Sequence, residues 1–202
     1  MGNGPSLAEH DLSLLKDHFK IGINRAFFLT KPIINFWIDK SLPDNHEKEM
    51  LEQPGFFTSP RSAATVPFRK HKRWKELYIK SPTWQWTKET FPLYGTGSSL
   101  VLASQLAYGL GCETFVFLGV DGVEEEDAAD NPTHFYGWNP HNKNHAFTKM
   151  NKAARYMATR CPAVIFSTGK SEYFQRMEFE DLLELFPPKQ TRDRLMAVLS
   201  KP

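Results

Sequence analysis

The sequence predicts an α/β protein with a Rossmann-like, doubly wound and mainly parallel sheet, in a single domain spanning residues 1–202. Three observations carry this expectation. The stretch "TFVFLGVD" (114–121) is a nearly continuous apolar run ending on Asp121, as expected of a strand covered on both faces of a parallel sheet. It follows an apolar helical pattern over 99–110 that is stopped by Gly111. Strand-like and helix-like segments also alternate along the chain.

Taken in order, the elements begin with "MGNGPSL". Gly2 and Gly4 flank Asn3, and Pro5 stiffens the next residues, so the segment reads as a turn that lets backbone approach a ligand. A frayed terminus is the competing reading, because the strand that ordinarily leads into such a turn does not precede Gly2. Residues 6–16 read as a helix, with Ser6 as N-cap and Glu9 three residues on. "FKIGINRAFFL" (19–29) holds a strand ending near Asn24, and "IINFWID" (33–39) a second ending at Asp39. A short charged helix is expected over 44–52. "GFFTS" and "ATVPF" (55–68) suggest strands split by Pro60, and "RKHKRWKELYIK" a basic surface segment. The polar segment 122–144 is long for a structureless connection and reads as a lid or active-site loop. A helix over 145–159, a strand over 163–168 and an amphipathic helix over 177–186 come next, the last opening a helical tail (177–202).

Composition excludes several classes. Hydrophobic residues make up 41% and charged residues 24%, the balance of a folded domain rather than a disordered chain. The net charge of +2 does not by itself call for nucleic acid. No apolar run is of membrane-spanning length, and no signal peptide is recognised, so the expected location is cytoplasmic. Cys112 and Cys161 lack a CxxC partner and read as reduced, structural thiols. Oligomeric state is not legible.

In a parallel α/β sheet ligands sit at strand carboxyl ends. That rule groups Gly4 and Ser6 of the first turn with Asn24, Asp39, Ser98, Ser99 and Asp121 as candidate substrate-binding residues. Backbone N–H groups of residues 2–6 suit a phosphate or nucleotide edge. Asn24 is an odd choice for packing; its amide can read a ribose or base edge, or simply form an Asx turn before Arg25. Ser98 and Ser99, in "YGTGSSL", can hold an anion, cap a helix, or do both. Asp121 can orient a sugar hydroxyl or organise its own loop. His141 suits a general base, since an imidazole titrates near neutrality; a solvent-exposed loop histidine is the alternative.

"GNGPSL", "INRAF", the serine-rich turn before "LGCETFVFLGVD", then "HFYGW" and "HNKN" together resemble the bacterial family 42 sialyltransferases and the wider MptE-like group, which includes archaeal pterin diphosphokinases. The resemblance covers most of residues 1–170, in islands. It implies an inverting, metal-independent glycosyltransferase that takes a nucleotide-activated sugar, with a CMP-sugar as the leading donor, and a glycan or other hydroxyl acceptor. It implies donor binding by Asn3 and Asn24, a catalytic base at His141, which lies in the segment matching the family's catalytic histidine, and assistance to the leaving phosphate by Tyr136. No cofactor beyond the donor substrate and no metal is implied. It also implies a short apolar strand directly before Gly2.

Two further features keep other readings open. His134, His141 and His145 with the "EEED" run invite a metal site, although no recognised zinc spacing is present. The stretch 69–86 mixes six Lys and Arg with Trp74, Trp84 and Trp86, a pattern that can track DNA and stack bases, wall a sugar acceptor, or form a solvated face over buried indoles. DNA thereby stays open as an acceptor. The alternatives to glycosyl transfer are an ATP- and Mg²⁺-dependent pterin-type diphosphokinase, using Asp39, Asp121 and the acidic loop, and a nucleotide- or nucleic-acid-binding relative without catalysis.

Overall fold

Short β-branched and aromatic runs build the sheets. A computed structural model describes residues 1–80, 82–95, 97–121 and 145–186, with backbone alone for 145–149. Strands β1 (Ile21–Ile23), β2 (Ile34–Phe36), β3 (Phe56–Ser59) and β4 (Trp74–Glu76) form a four-stranded parallel sheet in that order. Helix α1 (Ser41–Leu51) crosses between β2 and β3, and the short α2 (Val66–Lys70) between β3 and β4. A small parallel pair comes next, β5 (Ile79–Lys80) with β6 (Leu93–Tyr94), leading into helix α3 (Ser99–Gly109). Strand β7 (Thr114–Phe117), helix α4 (His145–Arg160), strands β8 (Val164–Ser167) and β9 (Gln175–Arg176), and helix α5 (Phe179–Leu185) complete the described chain. β7, β8 and β9 form a parallel three-stranded sheet in that order.

The α/β class with parallel strands therefore stands. All three residues of β2 are buried, as the apolar run "IINFW" demands of a strand covered on both faces. On one face Ile34, Phe36 and Ile23 pack against Leu102, Ala103 and Leu106 of α3. On the other, Trp37, Phe57 and Phe68 pack with Leu42 and Met50 of α1. Burying an aromatic of this size is worth about 1.5–3 kcal/mol, and Trp37 keeps that gain because its indole N–H donates to the Ala63 carbonyl at 2.8 Å. Helix α3 also turns Val101 and Ala107 toward Phe115 and Phe117 of β7 and Ala153 and Met157 of α4, so it serves both sheets.

Several local expectations are corrected. Residues 6–16 form two 3-10 turns, Pro5–Glu9 and Leu12–Leu15, rather than one helix capped by Ser6. The cap position is Gly4, Pro5 opens the first turn, and the extended His10 ends it. "ATVPF" is not a strand: Pro67 cannot donate to a ladder and instead sits in the first turn of α2. The second strand stops at Phe36, short of Asp39. Helix α1 starts earlier than the charged run and kinks at His46.

The first residues do not fray. The Met1 amino group donates to the Ile21 carbonyl at 2.8 Å and the Ile23 N–H donates to the Met1 carbonyl at 3.0 Å, a parallel pairing with β1. On its other side the segment donates from Gly2 to Leu118 O and from Gly4 to Gly119 O, both at 2.7 Å. Residues 1–4 thus bridge the end of β1 and the end of β7.

Candidate functional site

The bridge brings the first turn against the residues just beyond β7 and β8. Ser6 donates its N–H to Asp121 Oδ2 at 2.9 Å and its hydroxyl to Asp121 Oδ1 at 2.5 Å. Hydrogen bonds to an ionised partner are worth about 1.5–3 kcal/mol each, against about 1 for a neutral pair, so this pair ties the loop down firmly. The carboxylate is approached so closely from two sides that a Cβ at Gly4 would overlap Oδ2 and one at Gly169 would overlap Oδ1. Glycine is needed at both positions for close approach, which gives the first turn its local reason. Of the two readings of Asp121, the organising one is present.

Beside this tie stand two asparagines. The pairing of Met1 with β1 carries Asn3, two residues on, to the level of Asn24, which comes directly after β1. Asn24 has φ +52, the left-handed region that Asn tolerates better than other side chains of its size. Among the described residues, the side-chain oxygens of both Asn3 and Asn24 are buried without a hydrogen-bond partner. An unmet buried polar atom costs about 1–3 kcal/mol, so two at neighbouring strand ends are a cost concentrated in one place. Because an amide can present either its O or its NH₂ after a flip, each can accept or donate toward a ligand.

The sequence-selected residues divide accordingly. Gly4 and Ser6 meet Asp121 beyond β7, Asn3 lies between them and the Met1 pairing with β1, and Asn24 directly follows β1. Ser98 and Ser99 open α3, and Ser98 Oγ accepts from the Val101 N–H at 3.4 Å, the capping reading. Asp39 does not join the cluster: it is exposed and its Oδ1 accepts from the Ser41 N–H at 2.9 Å, organising the start of α1. His141 and Tyr136, with His134 and the acidic run, lie outside the described residues. Among the described residues no group of three His, Cys, Asp or Glu could hold a metal ion.

The structure adds a residue that periodicity and motif did not mark. His10 stacks on Phe179 with ring centroids 4.6 Å apart, and its Nε2 lies 3.0 Å from Thr168 Oγ1, one residue before Gly169. A lone histidine in "LAEHDL" carries no signal. Thr168 and Gly169 could have been found by applying to "AVIFST" the strand-end rule that selects Asp121.

The basic stretch resolves into packed residues. Arg73 donates its guanidinium to the carbonyls of Leu51, Gln53 and Gly55, at the end of α1, and lies 5.0 Å from the Phe57 ring centroid. Trp74 donates to Ser59 Oγ at 3.1 Å, and Trp84 packs on Tyr156 at 4.9 Å. Arg69, Lys70 and Lys72 remain at the surface. Among the described residues no helix is long and apolar enough to cross a membrane.

No protein-family model, curated protein or solved structure matches the chain.

Proposed function

We propose that this protein is a transferase that binds a nucleotide-activated donor at the carboxyl ends of β1 and β7. The observation that carries the reading is the pair of unmet, buried carboxamide oxygens of Asn3 and Asn24. Two polar atoms at neighbouring strand ends, beside backbone fixed by Ser6 and Asp121, suit the ribose and base edges of a nucleotide. The arrangement of strands supports it as well. Residues 1–4 pair with β1 on one side and bond to the end of β7 on the other, so strands run outward in both directions from one point. In a doubly wound sheet that point is where ligands bind.

The reaction that fits best is metal-independent glycosyl transfer with inversion, from a CMP-sugar to a hydroxyl acceptor. Asn3 and Asn24 hold the donor, with Gly4, Ser6 and the start of α3 around its phosphate. His141 takes the acceptor proton, and Tyr136 supports the departing phosphate. Resemblance to the family 42 sialyltransferases supports these last two roles.

The test is thermal-shift binding with CMP, UMP, GMP, AMP and ATP, each with and without Mg²⁺, because a ligand selective for the folded state raises Tm. Stabilisation by CMP without metal, lost in Asn24→Ala, is the expected result. Stabilisation only by ATP with Mg²⁺ would assign pyrophosphoryl transfer instead. No shift with any nucleotide would sink the donor-binding reading.

A further inference from the structure

Charge is unevenly spread along this chain. Residues 61–88 hold eight Lys and Arg against one acidic residue, Glu76, whereas the whole chain carries a net charge of only +2. The fold sorts these cations. Arg73 is committed to the carbonyls at the end of α1, Arg61 pairs with Glu76 at 3.4 Å, and Lys88 pairs with Glu113 at 3.8 Å. Among the described residues Arg69, Lys70, Lys72, Lys75 and Lys80 make no ion pair. These five share one flank of the molecule. β4 is an edge strand of its four-stranded ladder; Lys72 comes two residues before it, Lys75 lies within it, and Lys80 ends β5 just after it. Arg69 and Lys70 close α2, which lies against β4.

Lysine on an edge strand discourages pairing with another sheet, and that alone would account for one or two of these cations. Two observations point beyond it to a ligand. Tyr78, between Lys75 and Lys80 in the chain, is 69% exposed, and its ring has no ring or cation partner among the described residues. The indoles of Trp74 and Trp84 are instead engaged, one with Ser59 Oγ and the other on the Tyr156 ring, so Tyr78 is the aromatic left open on this flank. Secondly, the positive field acts on a neighbouring group. His71 is held below 6.5 by burial first, and then by Arg73 and Lys72. A polyanion beside Lys72 would relieve that repulsion. The chain from Lys72 to Lys80 spans about 26 Å if extended at about 3.3 Å per residue, room for a short single strand of the about 4–16 nucleotides that such surfaces accept. An acidic peptide would use the cations and leave the ring idle, whereas a base has a face to stack on it.

We infer that the flank of β4 binds single-stranded nucleic acid, with phosphates on Arg69, Lys70, Lys72, Lys75 and Lys80 and a base on the Tyr78 ring. The basic and aromatic stretch thereby divides in two. Arg73, Trp74 and Trp84 hold the fold, while the unpaired cations and Tyr78 meet the ligand. This surface does not depend on the donor site at the ends of β1 and β7.

The test is fluorescence anisotropy on the 1–202 chain with a labelled thymidine strand of about 12 nucleotides. Binding is expected at about 50 mM salt, and log K should fall against log salt with a slope of about −0.7 per phosphate contacted. Lys72→Ala and Lys80→Ala should each make that slope shallower by about 0.7. Tyr78→Ala should weaken binding by about tenfold and leave the slope unchanged, while Tyr78→Phe, which keeps the ring, should retain affinity. These are surface changes, so thermal melting should stay with the parent. Arg176→Ala, on the other sheet, should alter neither affinity nor slope. The His71 pKa, followed by NMR, should rise when the strand saturates the protein. Absence of binding at low salt, full affinity in Tyr78→Ala, or an unmoved His71 would overturn the inference. Polyglutamate binding as tightly as the strand would overturn it in favour of an acidic protein partner. So would a duplex that binds more tightly than the single strand with no contribution from Tyr78.

Discussion

Ser6 and Asp121 lie 115 residues apart and are joined by two hydrogen bonds, the serine N–H to Oδ2 and its hydroxyl to Oδ1. The pair fastens the first turn of the chain to the segment just beyond β7, where two backbone segments, one at Gly4–Ser6 and one at Gly169, crowd one carboxylate. Asp121→Ala is expected to cost about 2–4 kcal/mol, since it removes both bonds and leaves the Ser6 N–H unmet. Ser6→Ala, which keeps the backbone bond, should cost about 1–2 kcal/mol. Urea denaturation of the single and double variants measures the coupling; strictly additive losses would contradict the pairing.

Gly169→Ala is expected to destabilise by about 1–3 kcal/mol, as overpacking does, because the added methyl would overlap Asp121 Oδ1. The same substitution in an Asp121→Ala background should cost clearly less. An equal cost in both backgrounds would place the strain elsewhere.

At Asn24 stability and binding are expected to separate. With φ at +52, Asn24→Gly relieves the backbone, and removing an unmet buried oxygen helps further. The variant should be at least as stable as the parent by thermal melting, yet lose the nucleotide-dependent rise in Tm. Asn3→Ala should lose that rise as well. Retention of the full shift in both would remove the asparagines from the donor site.

Stability is expected to rise between pH 5 and 8. The Met1 amine titrates near 8.0 unfolded and about 5 folded, so in that window the unfolded chain holds more protons, and raising the pH favours the folded state. Below about 5 both states are protonated, and the effect vanishes. Its upper bound is about 4 kcal/mol at about 1.4 kcal/mol per tenfold change in proton affinity. His71, held below 6.5 by burial first and then by Arg73 and Lys72, adds in the same direction. Acetylating the Met1 nitrogen should flatten the profile to the His71 contribution; an unchanged slope would assign it to other groups.

Arg73 makes a structural prediction that separates it from the surface cations of the basic stretch. Its guanidinium meets three carbonyls at the end of α1, where a cation also suits the helix dipole. Arg73→Ala should lower stability by about 1–3 kcal/mol and leave the salt dependence of any DNA binding unchanged. Arg69→Ala and Lys72→Ala, both at the surface, should do the reverse: little effect on urea denaturation, and a shallower salt slope if DNA binds.

How far the sequence can be read differs from element to element. "TFVFLGVD" and the pattern before it are legible because burial on both faces forces an apolar run and a helix forces its own period. The first turn is legible as a turn and misread as a helix start. Pro5 and Gly4 favour a tight 3-10 turn, and the hydroxyl of Ser6, free by local rules to cap, is drawn to a carboxylate that only the fold brings near. "ATVPF" fails for a related reason: alternation suggests a strand, while Pro67 satisfies the start of a helix.

By itself the sequence determined the parallel α/β class, the strand that leads into Asn24, the strand Thr114–Phe117 that stops four residues short of the expected end at Asp121, and the choice of glycine and asparagine in the first turn. These come from local sterics and from the solvation of alternating or continuous apolar runs. Only the tertiary structure decided that Ser6 meets Asp121, that Asn3 and Asn24 both bury their carboxamide oxygens, that Asp39 serves α1 instead, that His10 meets Thr168, and that β1 and β7 line one cavity. Those are relations between distant segments, set by which backbone edges pair and which side chains are buried against them.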